Sequence, residues 1–258
     1  MSARARRLTG LLALLATVAP AAMATQAVVE GAVRRPGGYE VGEGGRFADA
    51  VLAAMPTDDA YALGAAALRP SALPQQRRLK AGLQHDLQAL ASDPALPPAL
   101  LPQVRSLGAW LDALPVTGRV RADLDPRRLE LDAGSNRRLE PGDRFTYPLR
   151  PDTIAVVGAV PAACTLPHAP LRDAADYLRD CPPDAGTADR DALYAIQPDG
   201  AVQRLGIAAW NRSAPQALAP GAVLYVPLDE RALRERAPGF NDALAQFLAT
   251  QPLPVASP

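Results

Sequence analysis

The 258-residue sequence predicts an α+β protein built from two copies of one small unit, with a helical hairpin inserted in the first copy. Three observations carry this. Two separate blocks recur in the same order along the chain. The first copy is longer than the second, and the excess is rich in helix-forming residues. Proline, at 27 residues, is roughly twice its usual share. That excludes a fold of long helices alone, because an interior proline costs about 3 kcal/mol.

The first block is Val28-Val29-Glu30-Gly31-Ala32-Val33, matched by Ala155-Val156-Val157-Gly158-Ala159-Val160. Each leads through a break and a short extended piece to a helix-like segment, Phe47 to Leu52 in one copy and Leu171 to Leu178 in the other. The second block is the run Leu139-Glu140-Pro141-Gly142, answered by Leu218-Ala219-Pro220-Gly221. Both read as a type II turn feeding a strand, since proline fixes the first central φ and glycine supplies the positive second one.

From Gly31 to Gly142 is 111 residues, and from Gly158 to Gly221 is 63. The first copy therefore holds about 48 extra residues, which fall near 57–114. Within them Ala81 to Leu90 and Pro98 to Leu114 place Leu83, Leu87, Leu90, Leu101, Val104, Leu107 and Leu111 at helical spacing. Ser92-Asp93-Pro94 separates the two. After the hairpin, Gly118 to Asp123 and Arg128 to Leu131 alternate and read as strands.

Strand, turn, strand, helix and further strands is the order of a β-grasp unit. The expected division is 25–150 for the first unit, 151–228 for the second, and 229–258 for an amphipathic helix and tail. In that tail Phe240, Leu244, Phe247 and Leu248 fall on one apolar stripe after Pro238-Gly239.

Residues 1–24 read as a cleavable export signal. Arg4, Arg6 and Arg7 form the basic start, Leu8 to Val18 the apolar run, and Ala22-Met23-Ala24 the cleavage site. The chain carries 27 basic and 27 acidic residues. Removing the signal takes three arginines and no acids, leaving a net charge of −3. Nothing in this balance suits a nucleic-acid binder. It also gives no electrostatic reason to capture an anionic polymer. No later segment is long and apolar enough to span a bilayer, so the mature chain is expected in the periplasm. Cys164 and Cys181 are an even pair in an oxidising compartment and are expected to bond, with two buried thiols as the alternative.

Several short motifs then fall into one order. They are G-A-V-R-R-P-G-G-Y at 31–39, L-P-V-T-G-R-V at 114–120, L-E-P-G-D at 139–143 and V-V-G-A-V at 156–160. They continue with Y-A-I-Q-P-D-G at 194–200, A-A-W-N at 208–211, L-A-P-G at 218–221 and P-G-F-N at 238–241. Together they resemble the GfcC-type capsule biosynthesis proteins. The first motif is also similar to the ligand-binding β-grasp motif of outer-membrane polysaccharide export proteins. The resemblance implies tandem β-grasp domains, no cofactor, and an accessory role in capsule or exopolysaccharide export. The implied partner is an outer-membrane export protein or the capsular polysaccharide itself. The second copy departs from the pattern, because Pro161-Ala162-Ala163-Cys164 replaces the Pro-Gly turn.

Arg119 is the leading candidate for a functional side chain. It follows the inserted hairpin, opens a strand, and offers a planar five-donor fork suited to carboxylates. Its structural alternative is pairing with Asp123, Asp125 or Asp143. The stripe Phe240, Leu244, Phe247 and Leu248 reads either as a partner-docking face or as cover for the protein's own core. Trp210-Asn211 reads as a core tryptophan beside an amide-stabilised turn, or as a carbohydrate contact. Asp123 and Asp125 would share one face of a strand. That pair, with Arg119, carries the alternative of an enzyme that modifies or cleaves the polymer. A plain small-ligand-binding β-grasp module is the third reading. His85 and His168 make no triad, and neither a metal-ligand cluster nor a phosphate-binding loop is present.

Overall fold

The structure is a computed structural model that describes residues 25–255; the segment read as an export signal lies outside the described residues. The first unit opens with β1 (Thr25–Gly31) and β2 (Gly37–Val41), an antiparallel hairpin that pairs Val29 with Gly37. Helix α1 (Phe47–Ala54) follows, then β3 (Ala66–Leu68). Two long helices come next, α2 (Leu73–Ser92) and α3 (Leu100–Ala113). The unit closes with β4 (Arg119–Val120), α4 (Pro126–Leu131) and β5 (Arg144–Tyr147).

The second unit repeats this without the long helices. It has β6 (Thr153–Gly158), β7 (Cys164–Pro167), a 3-10 helix over Ala174–Arg179, β8 (Ala192–Ile196), β9 (Val202–Gly206) and β10 (Val223–Val226). The strand orders are β2-β1-β5-β3-β4 and β7-β6-β10-β8-β9, so the two sheets superpose strand for strand. In each, the first and last strands are parallel neighbours: β1 beside β5, and β6 beside β10. The two copies are tandem β-grasp-like units. Helices α5 (Glu230–Leu233) and α6 (Phe240–Leu248) end the chain.

The repeated sequence blocks have a common geometric cause. Gly31 and Gly158 have φ of +94° and +103°, and each ends the first strand of its unit. A Cβ on either would collide with the carbonyl of Tyr147 or Val226 across the parallel ladder. The next residue uses that closeness: Ala32 N donates to Tyr147 O at 2.7 Å, and Ala159 N to Val226 O at 2.8 Å. Only glycine admits both the angle and the approach. At the Pro-Gly turns, Asp143 N donates to Glu140 O and Ala222 N to Ala219 O, closing equivalent turns before β5 and β10.

The helical hairpin sits between β3 and β4, where the second unit has only the short β8–β9 turn. Its apolar face does not cover the first sheet. Leu83, Leu87 and Leu90 of α2 and Leu100, Val104, Leu107 and Leu111 of α3 join the core of the second unit, with Val156, Leu193, Leu224 and Phe247. Each fully buried leucine contributes about 1.5–3 kcal/mol relative to exposure. The first unit keeps a smaller core of its own, centred on Val29, Val51, Leu129 and the edge-to-face pair Phe47 and Phe145.

Four local readings are corrected. Residues 128–131 are not a strand but lie in α4. The Asp125 carboxylate accepts from the backbone of Arg127 at 2.9 Å and Arg128 at 3.2 Å, and Pro126 takes the first helical position. Helix α2 begins at Leu73 rather than near Ala81, with Pro74 in its first turn, where a missing N–H does no harm. The helix-like segment from Leu171 shortens to the 3-10 turn, since Leu171 has φ of +61° and cannot enter a helix. Strand β3 lies inside the stretch read as insertion; three alanine-rich residues show no alternation to mark it.

Candidate functional site

The chain leaves the hairpin through Gly118 and enters β4, a strand of two residues. Gln76 of α2 braces this exit on both sides. Its amide donates to Arg119 O at 2.8 Å and accepts from Gly118 N at 2.8 Å. Thr117 adds a hydrogen bond from its hydroxyl to Thr250 O at 2.6 Å.

Held in this way, the Arg119 side chain runs into the second unit and is 7% exposed. Its guanidinium donates to the carbonyls of Ala249 (3.3 Å), Gln251 (3.1 Å) and Pro198. Two of these lie at the C-terminal end of α6, where the helix dipole favours a cation. The third is in the β8–β9 turn. Burial pushes the guanidinium down to about 10, and the nearby Asp199 acts against that shift. The group therefore stays charged at neutral pH.

The carboxylates weighed as partners for Arg119 are engaged elsewhere. Asp143, buried, is held by Arg69 at 2.8 and 3.0 Å. Asp123 pairs with Arg128 at 3.3 Å and accepts from Asp125 N. Asp125 caps α4. Arg119 thus fastens the first unit to the end of α6 through main-chain oxygens rather than through an ion pair.

Beside it lies an open polar groove of about 670 Å³, formed where the two units meet. Arg121, Arg128 and Arg137 line it together with Asp123, Asp125 and Asp199. Arg121 bonds Asp199 at 3.0 Å across the junction, so the lining is charge-balanced and largely self-satisfied. Asp123 and Asp125 stand in this groove, yet both are committed to the start of α4. The arrangement offers hydrogen bonds and shape, with no free acid–base pair.

The stripe on α6 faces inward. Phe240, Leu244, Phe247 and Leu248 are all buried in the second core, with α6 packed between α2 and β8. Asn241, beside the stripe, was not singled out as a site residue. It is 1% exposed and makes four hydrogen bonds: from Tyr225 Oη at 2.8 Å, from Leu228 N at 3.1 Å, to Leu228 O at 2.9 Å and to Glu230 Oε2 at 2.8 Å. Its signal in the sequence was the P-G-F-N motif.

Cys164 and Cys181 form a disulfide with Cα atoms 6.2 Å apart, which ties β7 to the segment after the 3-10 helix. The core tryptophan expected at position 210 is corrected: Trp210 is 77% exposed. The amide-stabilised turn beside it is present. Asn211 accepts from Ala208 N at 3.1 Å and donates to Asp191 O at 2.9 Å, which turns the loop outward. His168 is occupied by the Leu218 carbonyl at 2.9 Å.

Two β-grasp-like units in tandem, fastened by a buried arginine and sharing an inserted hairpin, define the class of protein. Comparison with known proteins shows what the second unit is similar to. Residues 162–252 match the family described as "Capsule biosynthesis GfcC C-terminal". It is also 31% identical over 151 residues to the "Uncharacterized protein YjbG" of Escherichia coli (strain K12). That alignment covers 58% of this chain and 60% of the relative's length. The matched family region contains all three carbonyls that hold Arg119, while Arg119 itself lies outside it.

Proposed function

We propose that this chain is a periplasmic accessory protein of capsule or exopolysaccharide assembly and export, acting by binding the export machinery or the polymer. The family match over the second unit is the observation that carries this reading. The disulfide supports an oxidising compartment. Among the described residues no helix is long and apolar enough to cross a membrane. The commitment of Asp123 and Asp125 to capping and pairing supports binding over catalysis.

Deleting the gene and measuring surface polymer tests the role: reduced or mislocalised polymer is expected, and unchanged capsule overturns it. Incubating the protein with purified capsular polymer tests the mode of action. Unchanged polymer length is expected; shortened chains would replace the binding role with an enzymatic one. Cross-linking in cells to an outer-membrane export channel distinguishes docking on the machinery from holding the polymer.

A further inference from the structure

Trp210 is the side chain that neither the fold nor the junction accounts for. Six large hydrophobic side chains are exposed among the described residues, and Trp210 is the only aromatic one. An exposed indole on a loose loop would mean little. This loop is fixed at several points. Ile207 N and the Asn211 amide both donate to the Asp191 carbonyl, at 3.0 and 2.9 Å. Ser213 N donates to Gly206 O, and the Ser213 hydroxyl accepts from Gly206 N, each at 2.9 Å. Ala208 N reaches the Asn211 side chain. Gly206 leaves no room for a Cβ, because Asn211 packs directly on it. These bonds fix the loop, and the side chain that it holds outward is the indole.

The surroundings decide what the indole fits. Asp191 sits at its edge, with Oδ1 3.4 Å from the indole nitrogen and Oδ2 3.6 Å from Arg231. Both contacts are long, so the carboxylate keeps strong accepting capacity for a hydroxyl. A protein anchor draws most of its energy from a desolvated apolar surround. Here the neighbours are Ala209, Asn211 and Arg212, and the nearest exposed large hydrophobic side chain in sequence is Leu171, in another loop. One flat aromatic face bordered by a carboxylate and a guanidinium matches a pyranose ring, which offers C–H groups on its face and hydroxyls on its rim.

We propose that Trp210, with Asp191 and Arg231, forms a saccharide subsite that stacks one hexopyranose unit of a glycan chain. The subsite rests on the polymer-binding side of the proposed function. It works by stacking and hydroxyl recognition, so it needs no excess of positive charge on the mature chain.

The test uses the mature protein labelled with nitrogen-15. Trp110 and Trp210 give two indole signals, assigned by the loss of one in Trp210→Ala. The probes are an isomaltooligosaccharide, an oligogalacturonate and fragments of the producing strain's own capsular polymer. The Trp210 signal is expected to shift with at least one probe while Trp110 does not. Trp210→Ala is expected to weaken binding about tenfold or more, with an unchanged melting temperature. Asp191→Asn is expected to weaken it less. No shift with any of the three probes overturns the subsite, as does Trp210→Ala binding as well as the native chain. A Trp210→Ala protein that keeps saccharide binding but loses cross-linking to the export channel makes the indole a protein anchor and also overturns it. The two readings fail separately. Normal capsule in the deletion strain removes the accessory role whatever Trp210 binds. Lost capsule together with undiminished saccharide binding by Trp210→Ala removes the subsite alone.

Discussion

Arg119 Nη1 donates to the Gln251 carbonyl at 3.1 Å, joining a strand of the first unit to residues more than a hundred positions later. Gln251 lies just beyond α6, and the same nitrogen also reaches Ala249. Replacing Arg119 with alanine leaves three buried or half-buried carbonyls without a donor. A loss of about 3 kcal/mol is expected. Urea denaturation would show it as a lower midpoint, and limited proteolysis would show the end of α6 becoming cleavable. Arg119→Lys would recover only part of this, because one ammonium cannot serve three carbonyls in a planar fork. A full-stability Arg119→Ala protein would refute the fastening role.

Asn241 is the second fixed point. All four of its hydrogen bonds are internal, and the residue is buried. Asn241→Leu keeps the approximate volume and removes every bond. It strands the Tyr225 hydroxyl and both polar groups of Leu228, so about 2–4 kcal/mol should be lost. Thermal melts of the two proteins check this directly. An unchanged melting temperature would mean that the network adds nothing.

The disulfide between Cys164 and Cys181 closes a separation of 17 residues. Chain-entropy arguments give about 3 kcal/mol for a loop of this size. The Cys164→Ser, Cys181→Ser double variant should unfold at lower denaturant. The loss should match that produced by reducing the native protein, because the contribution lies in the unfolded chain.

Alkaline pH should destabilise the fold. Burial raises the phenols of Tyr147, Tyr194 and Tyr225 above the ordinary tyrosine value, and the Tyr194 bond to Asp242 adds to its shift. A phenol raised in the fold contributes stability that is whole below about pH 10 and lost as pH climbs towards its folded value. Arg119 has the opposite sign: its guanidinium is lowered to about 10, so stability gains as it deprotonates above that value. Three tyrosines outweigh one arginine. The denaturation midpoint should therefore fall between about pH 9 and about pH 11. The ultraviolet tyrosinate signal of these three should rise with unfolding rather than before it.

Much of the fold was legible because repeats leave fixed points. Gly31 and Gly158 each meet a carbonyl that no side chain could tolerate, so the two blocks stand out in the sequence. The long helices were legible from leucine spacing. Their packing was not, since periodicity says that Leu83 and Leu107 share a face with something without saying which unit supplies it. Strand β3 was too short and too uniform to read. Asp125 misled in another way. Its carboxylate and the following Pro126 are a strong helix start, and the alternation of Arg128 to Leu131 masked it.

Site residues were legible in type and less so in role. Arg119 stood out by motif, yet its partners are carbonyls, which carry no identity in a sequence. Trp210 was expected inside because tryptophans usually are. The side chain that decides its placement is Asn211, whose amide is used up in turning the loop.

The placement of the helical hairpin bears on how the chain matures. Synthesis from the N-terminus delivers α2 and α3 before the second sheet and α6 that cover their leucines. The first half therefore emerges with a greasy ridge that nothing synthesised so far can hide. Burial of that ridge waits until the last helix arrives, while the smaller core of the first unit is already complete. Truncation before α6 should therefore leave the hairpin leucines uncovered and yield an aggregation-prone product.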